Sequence, residues 1–164
     1  MESSRTLEIL KTLAAHEVEF IVEFIVVGGT AAVATGAPIN TLDLDVVHAA
    51  TPANVARLLA ALTELDACYR YRRDLRPGES HLIGWGQLLM TGLGPLDVLG
   101  AIGKGHTYAD LLPHTVELKF SPALCCRVLD LETQIAIKEE IGAEKDLLAL
   151  PILRRTLEES RRLK

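Results

Sequence analysis

Two aspartates one residue apart, Asp43 and Asp45 in TLDLDVV, follow the triplet Gly28-Gly29-Thr30, and a third, Asp97, stands between leucine and valine in LDVL. Read as a strand, residues 41–47 place Asp43 and Asp45 on one face and Leu42, Leu44 and Val46 on the other, because side chains alternate along a strand. Two carboxylates side by side on an apolar sheet repel one another and lose hydration unless a cation neutralises them. Hard divalent ions such as magnesium prefer oxygen ligands of this kind. Asp97 repeats the pattern, and a third carboxylate beside the pair would complete a metal cage, although a lone acid among leucines is more often an edge residue. Paired glycines between a strand and a helix allow a tight turn and expose amides at a helix N-terminus, where phosphate is favoured; Thr30 would add a hydroxyl.

The elements that must position these groups follow from the pattern of apolar residues. An amphipathic helix is expected from Ser4 to about Glu17, with Leu7, Leu10, Leu13 and Ala14 on one face. A strong apolar strand follows over 21–27, its start falling anywhere from Val18 to Phe24, then a small-residue helix over 30–35 and a turn at Gly36-Ala37-Pro38. Thr51-Pro52 opens a helix whose apolar face is Val55, Leu58, Leu59, Leu62 and Leu65. Residues 81–100 read as a strand, a turn at Gly92-Leu93-Gly94-Pro95 and a returning strand that carries Asp97. Residues 101–106, glycine-rich with Lys104, read as a mobile loop. Strands over 115–120 and 124–129 precede a helix capped by Asp130 and ended by Gly142, and a last amphipathic helix starts at Ile152. Lys138 and Lys145, seven residues apart, share a helical face if the helix resumes at once; they would meet phosphates or serve as solvated partners of Glu139, Glu140 and Glu144.

The totals bound the rest. A chain of 164 residues with 49% hydrophobic content and no internal repeat or linker is expected to be one domain, 1–164, with a sizeable core. A net charge of −5 argues against a general polyanion binder. No apolar run approaches the roughly 18–20 residues of a membrane helix, and the N-terminus is charged and amphipathic, so a cytoplasmic protein with no membrane contact is expected. Cys68, Cys125 and Cys126 form no even framework and read as buried thiols. The stretch CYRYRRDLRPGESH interleaves Arg70, Arg72, Arg73 and Arg76 with Tyr69 and Tyr71. It reads first as a solvated edge strand, with nucleotide or RNA binding by charge and stacking as the alternative. His106 and His114 show no ligand spacing and receive no role.

The order G-G-T, D-x-D on the next strand, a single Asp in L-D-V-L, then a late helix with lysine followed by G-x-x-K-D resembles the minimal nucleotidyltransferases of the DNA polymerase beta-like superfamily, in particular abortive-infection and toxin–antitoxin nucleotidyltransferases. The likeness runs over about 26–150. It implies an α+β fold, a mixed β-sheet flanked by α-helices, with Gly28, Gly29 and Thr30 cradling a nucleoside triphosphate donor and with Asp43, Asp45 and Asp97 as catalytic, metal-binding acids. Lys138 and Lys145 match the basic positions of the late helix. The implied chemistry is in-line attack of a hydroxyl on the α-phosphorus, with two Mg²⁺ ions roughly 3.5–4 Å apart stabilising the attacking and leaving oxygens. The acceptor would be a tRNA, a protein or a small molecule, and a cognate antitoxin or a second copy of the chain would be a partner.

Two positions depart from the pattern: relatives often carry arginines where this chain has Ile39 and Ala143. Their loss supports a competing expectation, a catalytically degenerate binding or regulatory protein of a toxin–antitoxin pair. A sugar-nucleotide glycosyltransferase, which also uses D-x-D, fits less well because 164 residues leave little space for an acceptor domain.

Overall fold

Aliphatic side chains alternating with Asp45 make residues 44–48 a strand that is buried on both sides, and this strand becomes the hub of the sheet. The computed structural model describes residues 4–15, 22–84 and 86–163. In chain order the helices are α1 (Ser4–Ala15), α2 (Gly28–Ala34), α3 (Pro52–Glu64), α4 (Glu79–Ile83), α5 (Tyr108–Leu111), α6 (Leu131–Ile141) and α7 (Glu144–Arg162). The strands are β1 (Phe24–Val27), β2 (Leu44–His48), β3 (Cys68–Tyr69), β4 (Gln87–Thr91), β5 (Gly94–Leu99), β6 (Ala101–Ile102), β7 (His106–Thr107), β8 (Thr115–Ser121) and β9 (Leu124–Leu129). Among the described residues seven strands form one sheet in the order β3-β4-β5-β2-β1-β9-β8. The sheet is mixed: β2 runs parallel to β5 and β1 parallel to β9, while β1–β2, β3–β4, β4–β5 and β8–β9 are antiparallel. The α+β expectation therefore holds.

The two faces of the sheet are unequal. Leu89, Leu96 and Leu44 form a row across β4, β5 and β2, and with Val26, Val46 and Val98 they pack against Leu10 and Leu13 of α1 and Leu58 and Leu62 of α3. This is the main core. On the opposite face Ile25, Val27 and Val47 pack against Leu111, Leu129 and Ile137, a smaller cluster that leaves the Asp45 end of the face open. Helix ends follow local chemistry. Thr51 caps α3 by accepting from the Asn54 amide, Asp130 caps α6 by accepting from the Thr133 amide at 2.8 Å, and Gly142, left-handed at φ 65°, ends α6.

Several boundaries differ from the sequence reading. Within the described residues the strand before the glycines starts at Phe24; its expected start at Ile21, and the expected end of the first helix at Glu17, lie outside them. Helix α2 begins at Gly28, two residues earlier than expected, and Gly28 at φ +66° makes the expected tight turn from β1 into it. Strand β2 begins at Leu44, leaving Asp43 in the preceding loop and Leu42 exposed at 91% instead of on the apolar face. His81 lies in α4, not in a strand. Residues 101–107 form a two-stranded hairpin, fixed where His106 Nε2 meets Glu140 Oε2 at 2.8 Å, rather than an unstructured loop.

The last helix begins at Glu144 and runs through Pro151, because burial of Leu150 and Leu153 against Leu131 and Ile135 outweighs the backbone bond a proline forfeits. The thiols also differ from expectation. Cys126 is buried, and burial and its neighbour Cys125 push its thiol up to about 12; Cys68 is half-buried and Cys125 exposed. Adjacent residues on β9 point to opposite faces, so only one of the pair can enter the core. Among the described residues no helix is long and apolar enough to cross a membrane.

Candidate active site

The parallel register of β2 and β5 sets Asp45 directly beside Asp97, and β1 places Val27 on the other side of Asp45. Residues opposite one another on neighbouring strands project to the same face, so two acids separated by 52 positions in sequence become neighbours by pairing alone. Burial, a side-chain hydrogen bond with Asp97, and the charges of Asp97 and Asp43 together push the Asp45 carboxyl up to about 7, with Arg70 pulling it back. Asp45 Oδ1 is buried and has no hydrogen-bond partner.

Asp43 lies outside the strand, near enough for its charge to act on Asp45. Its carbonyl accepts from Thr30 Oγ1 at 3.3 Å and from Thr41 Oγ1 at 3.2 Å, two hydroxyls that fix the loop entering β2. Thr30 is only 1% exposed and thus positions Asp43; it is not the phosphate-facing hydroxyl expected from the sequence. The glycines act by close approach. A Cβ at Gly28, whose φ is +66°, would overlap the Asp45 carboxylate, and one at Gly29 would stand 2.5 Å from Thr41 Oγ1. Gly28→Ala is therefore expected to cost about 1–3 kcal/mol of stability and to displace Asp45. Urea denaturation of the variant measures that cost, and an unchanged midpoint would contradict the packing.

Asp97 has a second partner that sequence reasoning missed. Arg70, just beyond the edge strand β3, donates from Nη2 to Asp97 Oδ1 at 2.5 Å and to the Leu89 carbonyl at 3.1 Å; both charged side chains are largely buried. Its amide bonds the Leu88 carbonyl, and Leu88 is the register partner of Asp97, so the sheet carries Arg70 to the acid. Tyr69 packs against the main core and donates to Gln87 Oε1 at 2.6 Å, while the rest of that stretch behaves as a solvated edge: Arg72 pairs with Asp74, Arg76 with Asp66, and Tyr71 is exposed. The one usable signal was that Arg70 lies next to a short edge strand. Which acid it meets depends on register.

A cavity of about 180 Å³ opens beside Gly28 and Asp45 and extends along α6, lined by Leu99, Ile102, Gln134, Ile137 and Lys138 among others. Of the three predicted acids only Asp45 lines this cavity; Lys138 lines it too, but its Nζ is paired with Asp146 Oδ1 at 3.1 Å. Lys145 does not join them. Gly142 turns the chain and α7 restarts at Glu144, so Lys145 is exposed on a different helix and Asp146 takes the inward position. Ile39 packs against the cluster of Ala32, Leu131 and Leu153, and Ala143 is the residue before α7.

The donor set suits a hard divalent cation. Three carboxylates supply oxygen only, and Asp45 keeps an orphaned oxygen; burial first, then its acidic neighbours, raise its pKa, so a cation there would favour the ionised form. Among the described residues no three acid, histidine or cysteine side chains are grouped as a finished ligand set, consistent with Arg70 holding Asp97.

No family model matches the chain, and no curated protein matches it. Among solved structures it is similar to a putative nucleotidyltransferase (TM1012) from Thermotoga maritima, with a TM-score of 0.57 at 15% sequence identity over 97% of this chain and 96% of that one. The chain therefore has a nucleotidyltransferase-like α+β fold along nearly its whole length.

Proposed function

We propose that the protein is a magnesium-dependent nucleotidyltransferase that moves a nucleoside monophosphate from a nucleoside triphosphate to a hydroxyl acceptor. The observation that carries this reading is the in-register pairing of Asp45 with Asp97, with Asp43 within electrostatic reach and Gly28 against the Asp45 carboxylate. Asp43, Asp45 and Asp97 would hold the ion, which when bound would neutralise charge on the phosphate oxygens. Thr30 and Thr41 hold Asp43 in place through its carbonyl. Asp97, once released by Arg70, would accept the proton of the attacking hydroxyl. Gly28 leaves space beside Asp45 that any side chain would fill. Lys138 would reach a phosphate only by giving up Asp146.

The test is transfer of label from each of four α-labelled nucleoside triphosphates, with Mg²⁺ and cell extract, by wild type and by Asp43→Ala. Transfer is expected with wild type and at least about a tenfold loss in the variant, since loss of even a supporting group costs a metal site roughly 10–100-fold. Whether label enters RNA, protein or small molecules identifies the acceptor class.

A second reading is a degenerate binding or regulatory protein, partnered within a toxin–antitoxin pair. The specific observation in its favour is that the cations nearest the acids are already spent, Arg70 on Asp97 and Lys138 on Asp146. It predicts neither binding nor transfer of any nucleotide by the wild type.

A further inference from the structure

Arg70 and Asp45 each keep one polar atom unsatisfied in the same site. Arg70 Nε is a buried donor without a partner, and Asp45 Oδ1 is a buried acceptor without one. A buried polar atom left unpaired keeps the full cost of its lost hydration. Two such atoms, of opposite kind, on residues that both adjoin Asp97 indicate a site arranged for something that brings both a positive and a negative group. A divalent cation with a phosphate attached has that composition: the cation satisfies the carboxylates, and the phosphate satisfies the guanidinium, whose planar fork matches phosphate oxygens.

The ion pair itself is placed to exchange. Arg70 follows β3, a two-residue strand at the edge of the sheet held by β4 alone, whereas Asp97 sits on β5 between β4 and β2. The acid is fixed, and the arginine comes from the least supported strand of the sheet. The cavity beside Asp45 contains no arginine among its lining residues.

We propose that Arg70 is an exchangeable counter-ion: it neutralises Asp97 while the site is empty, yields Asp97 to an incoming divalent cation, and then holds a phosphate oxygen of the donor. The inference rests on the nucleotidyltransferase reading and names a residue of this chain that would meet the donor's phosphate. It makes Arg70 a positioning residue with two opposed effects on binding. It competes with the cation when the cation comes alone and supports binding when triphosphate comes with it.

The test is equilibrium binding to the full chain by titration calorimetry, with Mn²⁺ alone and then with inorganic tripolyphosphate at saturating Mn²⁺, for wild type, Arg70→Gln and Arg70→Lys. Arg70→Gln is expected to bind Mn²⁺ about tenfold more tightly, because the metal no longer has to displace a guanidinium from Asp97 or sit beside its positive charge. It is expected to bind tripolyphosphate at least about tenfold more weakly for want of the fork. Arg70→Lys keeps the charge without the fork, so Mn²⁺ binding stays near wild type while tripolyphosphate binding falls; this variant decides the matter if Arg70→Gln does not fold.

A merely structural arginine would weaken both affinities together or leave both unchanged, and either result overturns the inference while leaving the metal site intact. If neither wild type nor Asp45→Asn controls show any Mn²⁺ binding, and Arg70→Gln shows none either, the metal reading falls and the exchange falls with it. Mn²⁺ bound by Arg70→Gln but not by wild type supports the exchange.

Discussion

Asp45→Asn is expected to make the metal-free protein more stable at pH 8, by about 2–4 kcal/mol, while abolishing its proposed activity. The Asp45 carboxyl is raised from the ordinary 3.8 to about 7 by burial and by its acidic neighbours. A group whose pKa is higher in the folded chain contributes stability that is fully present below the unfolded value and disappears as pH rises through the folded one. Ionising a carboxyl held at about 7 instead of 3.8 costs at most about 4 kcal/mol at pH 8. Asparagine cannot ionise, so the variant escapes that cost. Near pH 4 the wild-type carboxyl is protonated in the folded state, and the difference between the two proteins should shrink towards zero.

Urea denaturation in EDTA across pH 4–8 measures this difference directly. His48 pulls wild-type stability the other way: burial lowers its pKa from 6.5, so its contribution is present above 6.5 and lost as pH falls through its folded value. Both proteins retain His48, and its effect cancels in the comparison. A difference between wild type and Asp45→Asn that does not change with pH would show that Asp45 is not held in the charged, crowded setting on which the site depends. Added Mg²⁺ should stabilise wild type at pH 8 and leave the variant nearly unmoved, because binding to the folded state alone raises stability. Transfer by Asp45→Asn should fall by more than the roughly 10–100-fold that loss of a supporting group costs a metal site.

Leu96→Ala should destabilise the protein by about 2–5 kcal/mol, the range for deleting a buried leucine side chain. Leu96 is fully buried in β5 between Leu89 and Leu44 in register, and it faces the main core directly behind Asp97. Both flanking strands are central to the sheet, so the surroundings have little freedom to close the void. Against a total stability of about 5–15 kcal/mol this is a large fraction, and thermal denaturation should show a loss of roughly 10 °C. Leu42→Ala is the matched control. Leu42 belongs to the same leucine–aspartate alternation but is 91% exposed, and its removal should change stability by no more than about 0.5 kcal/mol. Equal losses at the two positions would mean that the loop before β2 packs differently from the arrangement described above.

The contrast between Leu42 and Leu44 shows where the sequence stops being informative. Alternation of leucine and aspartate announces a strand, but it does not say where pairing begins, and pairing with β1 covers only residues 45–48. Asp43 consequently reaches the site from a loop held by Thr30 and Thr41, two hydroxyls whose partner is a backbone carbonyl and so leaves no trace in residue type. Lys138 and Lys145 give a similar lesson. Their seven-residue spacing fits one helix, yet the left-handed Gly142 breaks it and puts Asp146 beside Lys138 instead.

The α+β class followed from the resemblance that the ordered motifs bear to a known family, and the three acids and the glycine pair stood out as candidates; residue types alone determined the helix caps at Thr51 and Asp130 and the stop at Gly142. These depend on local preference: periodicity, capping and turn formation act over a few residues. Tertiary structure alone decided that Asp45 and Asp97 are opposite one another, that Arg70 reaches Asp97, and that Lys145 stays outside. Those outcomes depend on strand register and on the path of the chain between elements, which are set by how the two apolar faces of the sheet bury themselves and are not encoded in any short stretch.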